Sequence, residues 1–249
     1  MCQLLGISSN KSVNINFSFH GWKHRGRSNP DGYGFAWWKD GVPEVTKDPS
    51  SLYAKAVEAG EEVGGVNSKI FLCHVRFASR GMQEIKNTHP FKAEKDGVSW
   101  VFAHNGTLSN FKSLTLKRSK AIGQTDSEHA FLWLLENLPS RDDSSFSAVL
   151  KDLAADVAYL GRFNFLLSDG TTIWAHCSDN LHYISRVPPY GGELVELTDE
   201  GYSVGLDEVK GPDERAVIIC TEPLTDEDGW VELKSNELLE ASAGSVSII

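Results

Sequence analysis

Cysteine at the second position can carry both a nucleophile and its own base. The small side chain of Cys2 permits removal of the initiator Met1, which leaves a thiol and a free α-amine on one residue. An unperturbed α-amine titrates at about 7.7–8.0, so near neutrality part of it is free base. It can accept the thiol proton, directly or through a water, and the thiolate would then attack a carbonyl carbon. Alone, a second-position cysteine is usually incidental, so the reading turns on its company. The other cysteines, Cys73, Cys177 and Cys220, each sit inside an apolar run and read as small buried hydrophobes. No CxxC pair is present. The adjacent pairs Cys73-His74 and His176-Cys177 would point to opposite faces of a strand and serve one ion poorly. No metal and no cofactor is expected.

Two further stretches have both a structural and a chemical reading. Asn105-Gly106 favours a type I′ hairpin turn, but its amide and its glycine backbone could also stabilise an oxyanion. Thr125 with Glu128 three residues on forms a capping box that opens a helix, and Asp126 in that first turn is explained by the helix dipole alone.

The elements around these residues follow from pattern. Strands are predicted over 3–9, 33–38 and 42–46, the last two joined by the hairpin signal Asp40-Gly41. Residues 69–77 and 100–103 are apolar enough for central strands. Helices are predicted over 13–24, 52–59, 125–138 and 146–160, the third with Ala130, Phe131, Leu134, Leu135 and Leu138 on one face. The last third reads as strands over 163–167, 172–177, 182–184, 216–221 and 230–233, with a tight turn at Ser168-Asp169-Gly170. Strands, two consecutive helices, then more strands describe an α+β layered domain.

The chain resembles the class II glutamine amidotransferase family at seven stations in order. These are Met1-Cys2-Gln3-Leu4-Leu5-Gly6, His24-Arg25-Gly26, Asp31-Gly32-Tyr33-Gly34-Phe35, and the run from His74 to Gly81 against H-x-R-x-A-[ST]-x-G. Asn87-Thr88-His89-Pro90-Phe91, Ala103-His104-Asn105-Gly106 and Thr125-Asp126-Ser127-Glu128 complete the set. Asn164-Phe165-Leu166-Leu167-Ser168-Asp169-Gly170 is most similar to the stand-alone YafJ-like branch. The resemblance implies the four-layer αββα sandwich of N-terminal-nucleophile hydrolases, built from residues 2–249 as one domain. It implies that Cys2 attacks the γ-amide of glutamine, with Asn105 and the Gly106 N–H as oxyanion donors. It assigns Arg76 to the substrate α-carboxylate, Asp126 to the α-ammonium, Ser79 and the Arg80 backbone to the carboxylate pocket, and Arg25 to support of Cys2. His89 and His104 are read as structural, because the α-amine does the proton work. The sugar-phosphate transaminating branch has Trp after the clamp arginine and His near the next glycine, where this chain has Phe77 and Arg80.

Composition narrows the partners. Lys and Arg number 24 against 34 Asp and Glu, a net charge of -10, and no basic cluster is interleaved with aromatics. Nucleic acid is therefore not expected. The longest apolar runs are too short to span a bilayer, and the start has no signal-peptide pattern, so a cytoplasmic protein without membrane contact is expected. The small molecule implied by the resemblance is glutamine or another γ-glutamyl compound, and a separate ammonia-accepting protein is an expected partner. The alternatives are a γ-glutamyl peptidase acting on a glutathione-like metabolite and a non-catalytic γ-glutamyl-binding subunit.

Overall fold

Alternating apolar residues on the first strand dictate two faces, and both are buried. The computed structural model describes residues 1–191, 193–195 and 202–249. The chain begins with β1 (Gln3–Val13), α1 (Asn16–Trp22), and a 3₁₀ turn (Lys23–Arg27). The hairpin β2 (Tyr33–Lys39) and β3 (Val42–Asp48) precedes α2 (Ala56–Gly64) and β4 (Ser68–Val75). Then come β5 (Phe91–Lys95), β6 (Val98–Leu108), α3 (Asp126–Asn137) and α4 (Phe146–Ala158). The rest is β7 (Gly161–Ser168), β8 (Thr172–His176), β9 (His182–Arg186), β10 (Glu193–Val195) and β11 (Ser203–Gly205). A short helix, α5 (Leu206–Val209), leads to β12 (Ala216–Cys220), β13 (Val231–Glu232), β14 (Leu238–Ser242) and β15 (Ser245–Ile248).

The first main sheet has the order β13-β9-β12-β1-β4-β2-β3, the second β15-β14-β8-β7-β6-β5, and every pairing is antiparallel. On β1, Leu4 faces the second sheet, packing with Leu72, Ala103, Leu166 and Ala175, while Leu5 and Ile7 face outward with Phe35, Phe71 and Ile218. That outer face is covered by Trp22 of α1 and by Ala59 and Val63 of α2. On the far side α3 and α4 bring Phe131, Leu134, Leu150 and Val157 onto Phe102, Phe163 and Phe165. The result is helix, sheet, sheet, helix: the expected αββα sandwich.

Several local readings differ. The first helix, at seven residues, is shorter than the 13–24 span the apolar pattern suggested, because β1 continues to Val13 and the His24-Arg25-Gly26 stretch winds as a 3₁₀ turn. Helix α2 starts at Ala56 rather than at residue 52, and Leu52 is buried in the preceding turn. Asp96-Gly97 and Ala243-Gly244 turn two further hairpins, each with both residues at positive φ. Thr125 caps α3, its Oγ1 accepting from the Glu128 N–H at 3.2 Å, but the capping box closes differently. The Glu128 carboxylate accepts instead from the Ile122 and Gly123 N–H groups, at 3.0 and 2.6 Å, and so fixes the approach to the helix.

Phe131 is buried and stacks on Phe102 with ring centroids 5.0 Å apart. Phe131→Ala should lower unfolding free energy by about 3–5 kcal/mol, the range for a buried Phe truncation. Urea titration checks this; a loss below about 1 kcal/mol would contradict the packing described.

Candidate active site

Pairing of β1 with β4 sets Gln3 opposite Val75, which leaves Cys2 beside the first residues after β4. The Cys2 Sγ lies 3.3 Å from the Phe77 carbonyl, to which the thiol donates, and accepts from the Phe77 N–H at 3.2 Å. Phe77 is itself half exposed. Cys2 lines a small cavity together with Arg76, Ser79, Gly106, His104 and Asp126. Its volume is about 20 Å³, enough for about one water.

Each predicted residue has a definite place. Arg76 is buried, and four of its five N–H groups already have partners. Nη1 donates to the Asp31 and Met82 carbonyls at 3.3 Å, and Nη2 to those of Arg80 and Gly81 at 2.8 and 3.2 Å. The guanidinium thus organises the turn at residues 80–82. Ser79 Oγ accepts from Thr107 Oγ1 at 2.8 Å. Asp126, the first residue of α3, is buried and accepts the Leu108 N–H on Oδ2 at 2.6 Å. Its carboxylate therefore bonds across to β6 as well as sitting at a helix start.

Asn105-Gly106 is no hairpin turn. Both lie inside β6, with Asn105 opposite Asn164 and Gly106 opposite Phe163 on β7. A Cβ at Gly106 would collide with the Arg162 carbonyl, so only glycine fits there. The Asn105 amide is buried and donates through Nδ2 to Thr221 Oγ1 at 3.3 Å. Gly106 lines the cavity, while Asn105 stands behind it. Arg25 also stands outside the cavity wall. It forms an ion pair with Glu222 and donates to the Pro223 carbonyl at 3.1 Å, and Glu222 in turn accepts from Gln3 Nε2 at 3.2 Å. Arg25 thus reaches the Cys2 neighbourhood through Glu222.

A family model described as "Glutamine amidotransferases class-II" matches residues 1–249. The chain belongs to the class II glutamine amidotransferase family. It is 37% identical to the uncharacterized protein MJ1515 of Methanocaldococcus jannaschii, over 99% of this chain and 70% of that one. It is 35% identical to YafJ of Escherichia coli K12, which carries a provisional glutamine amidotransferase name, over 95% of this chain and 96% of YafJ. A crystal structure from Pseudomonas aeruginosa, described as that of a predicted glutamine amidotransferase, is similar with a TM-score of 0.74 and 28% identity. That match covers 98% of this chain and 99% of the other. The glutamine phosphoribosylpyrophosphate amidotransferase of B. subtilis shares the fold, with a TM-score of 0.68 at 16% identity, over all of this chain and 49% of that one.

Within this class II framework two residues matter that motif reading left without a role. Asp31 accepts the Ala78 N–H on Oδ2 at 2.8 Å, and its own N–H donates to the Arg76 carbonyl at 3.1 Å. It clasps the segment that faces Cys2. Thr221 Oγ1 accepts from both Asn105 Nδ2 and the Leu4 N–H, the latter at 3.0 Å, tying the second sheet to the first. Asp31 lay inside a quoted station, whereas Thr221 follows an unremarkable apolar strand with no pattern to mark it.

Electrostatics beneath the cavity are those of neutral histidines. His74, His89 and His104 are buried together, with ring centroids of His89 4.1 Å from His74 and 6.5 Å from His104. Burial pushes His74 down to about 3 and His89 well below the usual range. His104 is also lowered by burial, against the pull of Asp126 and its bond to the Arg162 carbonyl. Burial raises the Cys2 thiol, opposed by the Phe77 amide, the N-terminal charge and Arg76.

Histidines with depressed pKa values bind fewer protons folded than unfolded. Their contribution is complete above about pH 6.5 and is lost as pH falls below it toward the folded values. The urea midpoint should therefore drop between pH 7 and pH 5, and His89→Phe should flatten that drop. A pH-independent midpoint in the unsubstituted protein would contradict the buried neutral cluster.

Proposed function

We propose that this chain, as one catalytic domain spanning 2–249, hydrolyses the γ-amide of glutamine through a Cys2 thioester. The carrying observation is the meeting of Cys2, Gly106, Arg76, Ser79 and Asp126 around one cavity in a class II glutamine amidotransferase chain. Removal of Met1 would free the Cys2 amine, which takes the thiol proton as Sγ attacks the substrate carbonyl carbon. The tetrahedral intermediate then expels the amide nitrogen as ammonia, using that proton. Water hydrolyses the thioester to glutamate and restores the thiol.

Oxyanion charge would fall to the Gly106 N–H and to Asn105. An amide nitrogen has two hydrogens; Thr221 takes one from Asn105 and leaves the other for the intermediate. Asp126 spends one oxygen on Leu108 and keeps the other for the substrate ammonium. Arg76 would meet the substrate carboxylate, with Ser79 beside it, once the turn at 80–82 yields some of its carbonyl bonds. A cavity sized for one water demands such a movement before any glutamyl group enters. Arg25 supports Cys2 indirectly through Glu222. The ammonia passes to a partner protein, and the reaction takes place in the cytoplasm.

Losing a group that acts only in the transition state lowers kcat, whereas losing one that binds ground and transition states alike raises KM. Asn105→Ala should cost roughly 10²–10³-fold in kcat with little change in KM. Asp126→Asn should chiefly raise KM. Steady-state assays on glutamine, asparagine and glutathione check both the roles and the substrate. Release of ammonia from glutamine alone supports the proposal; preferential cleavage of glutathione would replace it with a γ-glutamyl peptidase.

A further inference from the structure

We propose a second binding site, for a small carboxylate with an apolar body, in the cavity on the outer face of the first sheet. Three neighbouring strands build its floor. Ile7 of β1 pairs with Ile218 of β12, which pairs with Ile184 of β9, and two residues along β9 Arg186 stands opposite Ala216. Residues two apart on a strand share a face, so Arg186 projects on the same side as these apolar neighbours. The cavity measures about 340 Å³, within the range of small-molecule sites. It lies away from the thiol: Ile7 is five residues from Cys2, roughly 17 Å along an extended strand.

The ligand class follows from which polar atoms the walls leave unused. Arg186 is buried, and Glu227 engages its Nε and Nη2, with Thr225 also near Nη2. Nη1 has no hydrogen-bond partner among the described residues, and Arg186 lines the cavity. Lys210, also on the wall, gives one N–H to Glu214 and has two more. The carboxylates, by contrast, are committed. Glu227 accepts from Arg186 and Thr225, and Glu214 accepts from Lys210 and the Gly211 N–H. Spare donors therefore outnumber spare acceptors at this end. A guanidinium edge is matched by a carboxylate, and a charge-assisted bond in a buried site is a strong one. Phe17 and Tyr202, with ring centroids 6.0 Å apart, give the cavity an aromatic patch beside the polar side chains of Asn14, Asn16 and Asn67. A neutral carbonyl head would accept from Arg186 without the charge that strengthens the bond, and a cationic head would be repelled by it.

Calorimetric titration with benzoate, and with benzamide as its uncharged counterpart, tests this on the intact protein. Benzoate should bind saturably, and benzamide at least about tenfold more weakly, the loss expected for one charge-assisted bond. Ala216→Leu, which fills the floor, should abolish benzoate binding. Arg186→Lys retains a cation for Glu227 but removes Nη1, and should weaken benzoate about tenfold or more. Cys2→Ala should bind benzoate as the unsubstituted protein does, so the result stands or falls apart from the glutaminase reading. Absence of saturable benzoate binding at millimolar concentration, equal affinity for benzamide, or unchanged binding in folded Ala216→Leu would overturn the site.

Discussion

The antiparallel pairing of β1 with β4 on one side and β12 on the other decides where residue 2 can lie. Leu5 sits opposite Cys73 on β4 and Cys220 on β12, and the register with β4 runs on to Gln3 at the start of β1. Slipping either by one residue would turn Leu4 and Leu5 onto the wrong layers and exchange the two cores. With the register held, Cys2 falls against Phe77, and Thr221 falls where it can bond both Leu4 and Asn105. The second sheet is thereby tied to the first at the point where the site forms. Leu166 and Ile173 close over Gly6, where an added Cβ would come within 3.1 Å of Leu166 Cδ1. The sheets can approach that closely because residue 6 has no side chain.

What surrounds Cys2 favours the neutral thiol as long as Met1 remains. Burial works against the thiolate, and the Phe77 amide and Arg76 recover only part of that cost. The three histidines offer no substitute base, since each is held neutral and their ring nitrogens face other buried groups or none. A free α-amine on residue 2 is the group whose ordinary pKa suits the proton transfer. The physical setting thus agrees with the proposed division of labour, in which the chain terminus is the base and the histidines are packing.

Legibility in the sequence followed the range of the interactions. Asp40-Gly41 announces its hairpin because both residues tolerate positive φ, and the apolar face of α3 is readable from its spacing alone. Asp96-Gly97 carries the same local signal but was not read as a turn, and Ala243 at positive φ carries none. Asn105-Gly106 shows local preference overruled: the turn-prone pair is held flat by eight residues of pairing between β6 and β7. Cys2, Arg76, Ser79, Gly106 and Asp126, which meet at one cavity, all stand in the ordered motif stations. The bonds around them were not legible, because Arg76 to the turn at 80–82, Glu128 to Gly123 and Arg25 to Glu222 depend on loops whose course no periodicity records. Thr221, 116 residues from Asn105, is the extreme case.

The account's central claim is that Cys2, freed of Met1, is the attacking thiol. Intact-mass and peptide-mapping spectrometry of protein treated with a γ-glutamyl diazoketone tests it most directly. The account predicts a chain lacking Met1 and bearing one adduct on Cys2, with Cys73, Cys177 and Cys220 unmodified. An adduct on any of those three, or full glutaminase activity in protein that uniformly retains Met1, would contradict it.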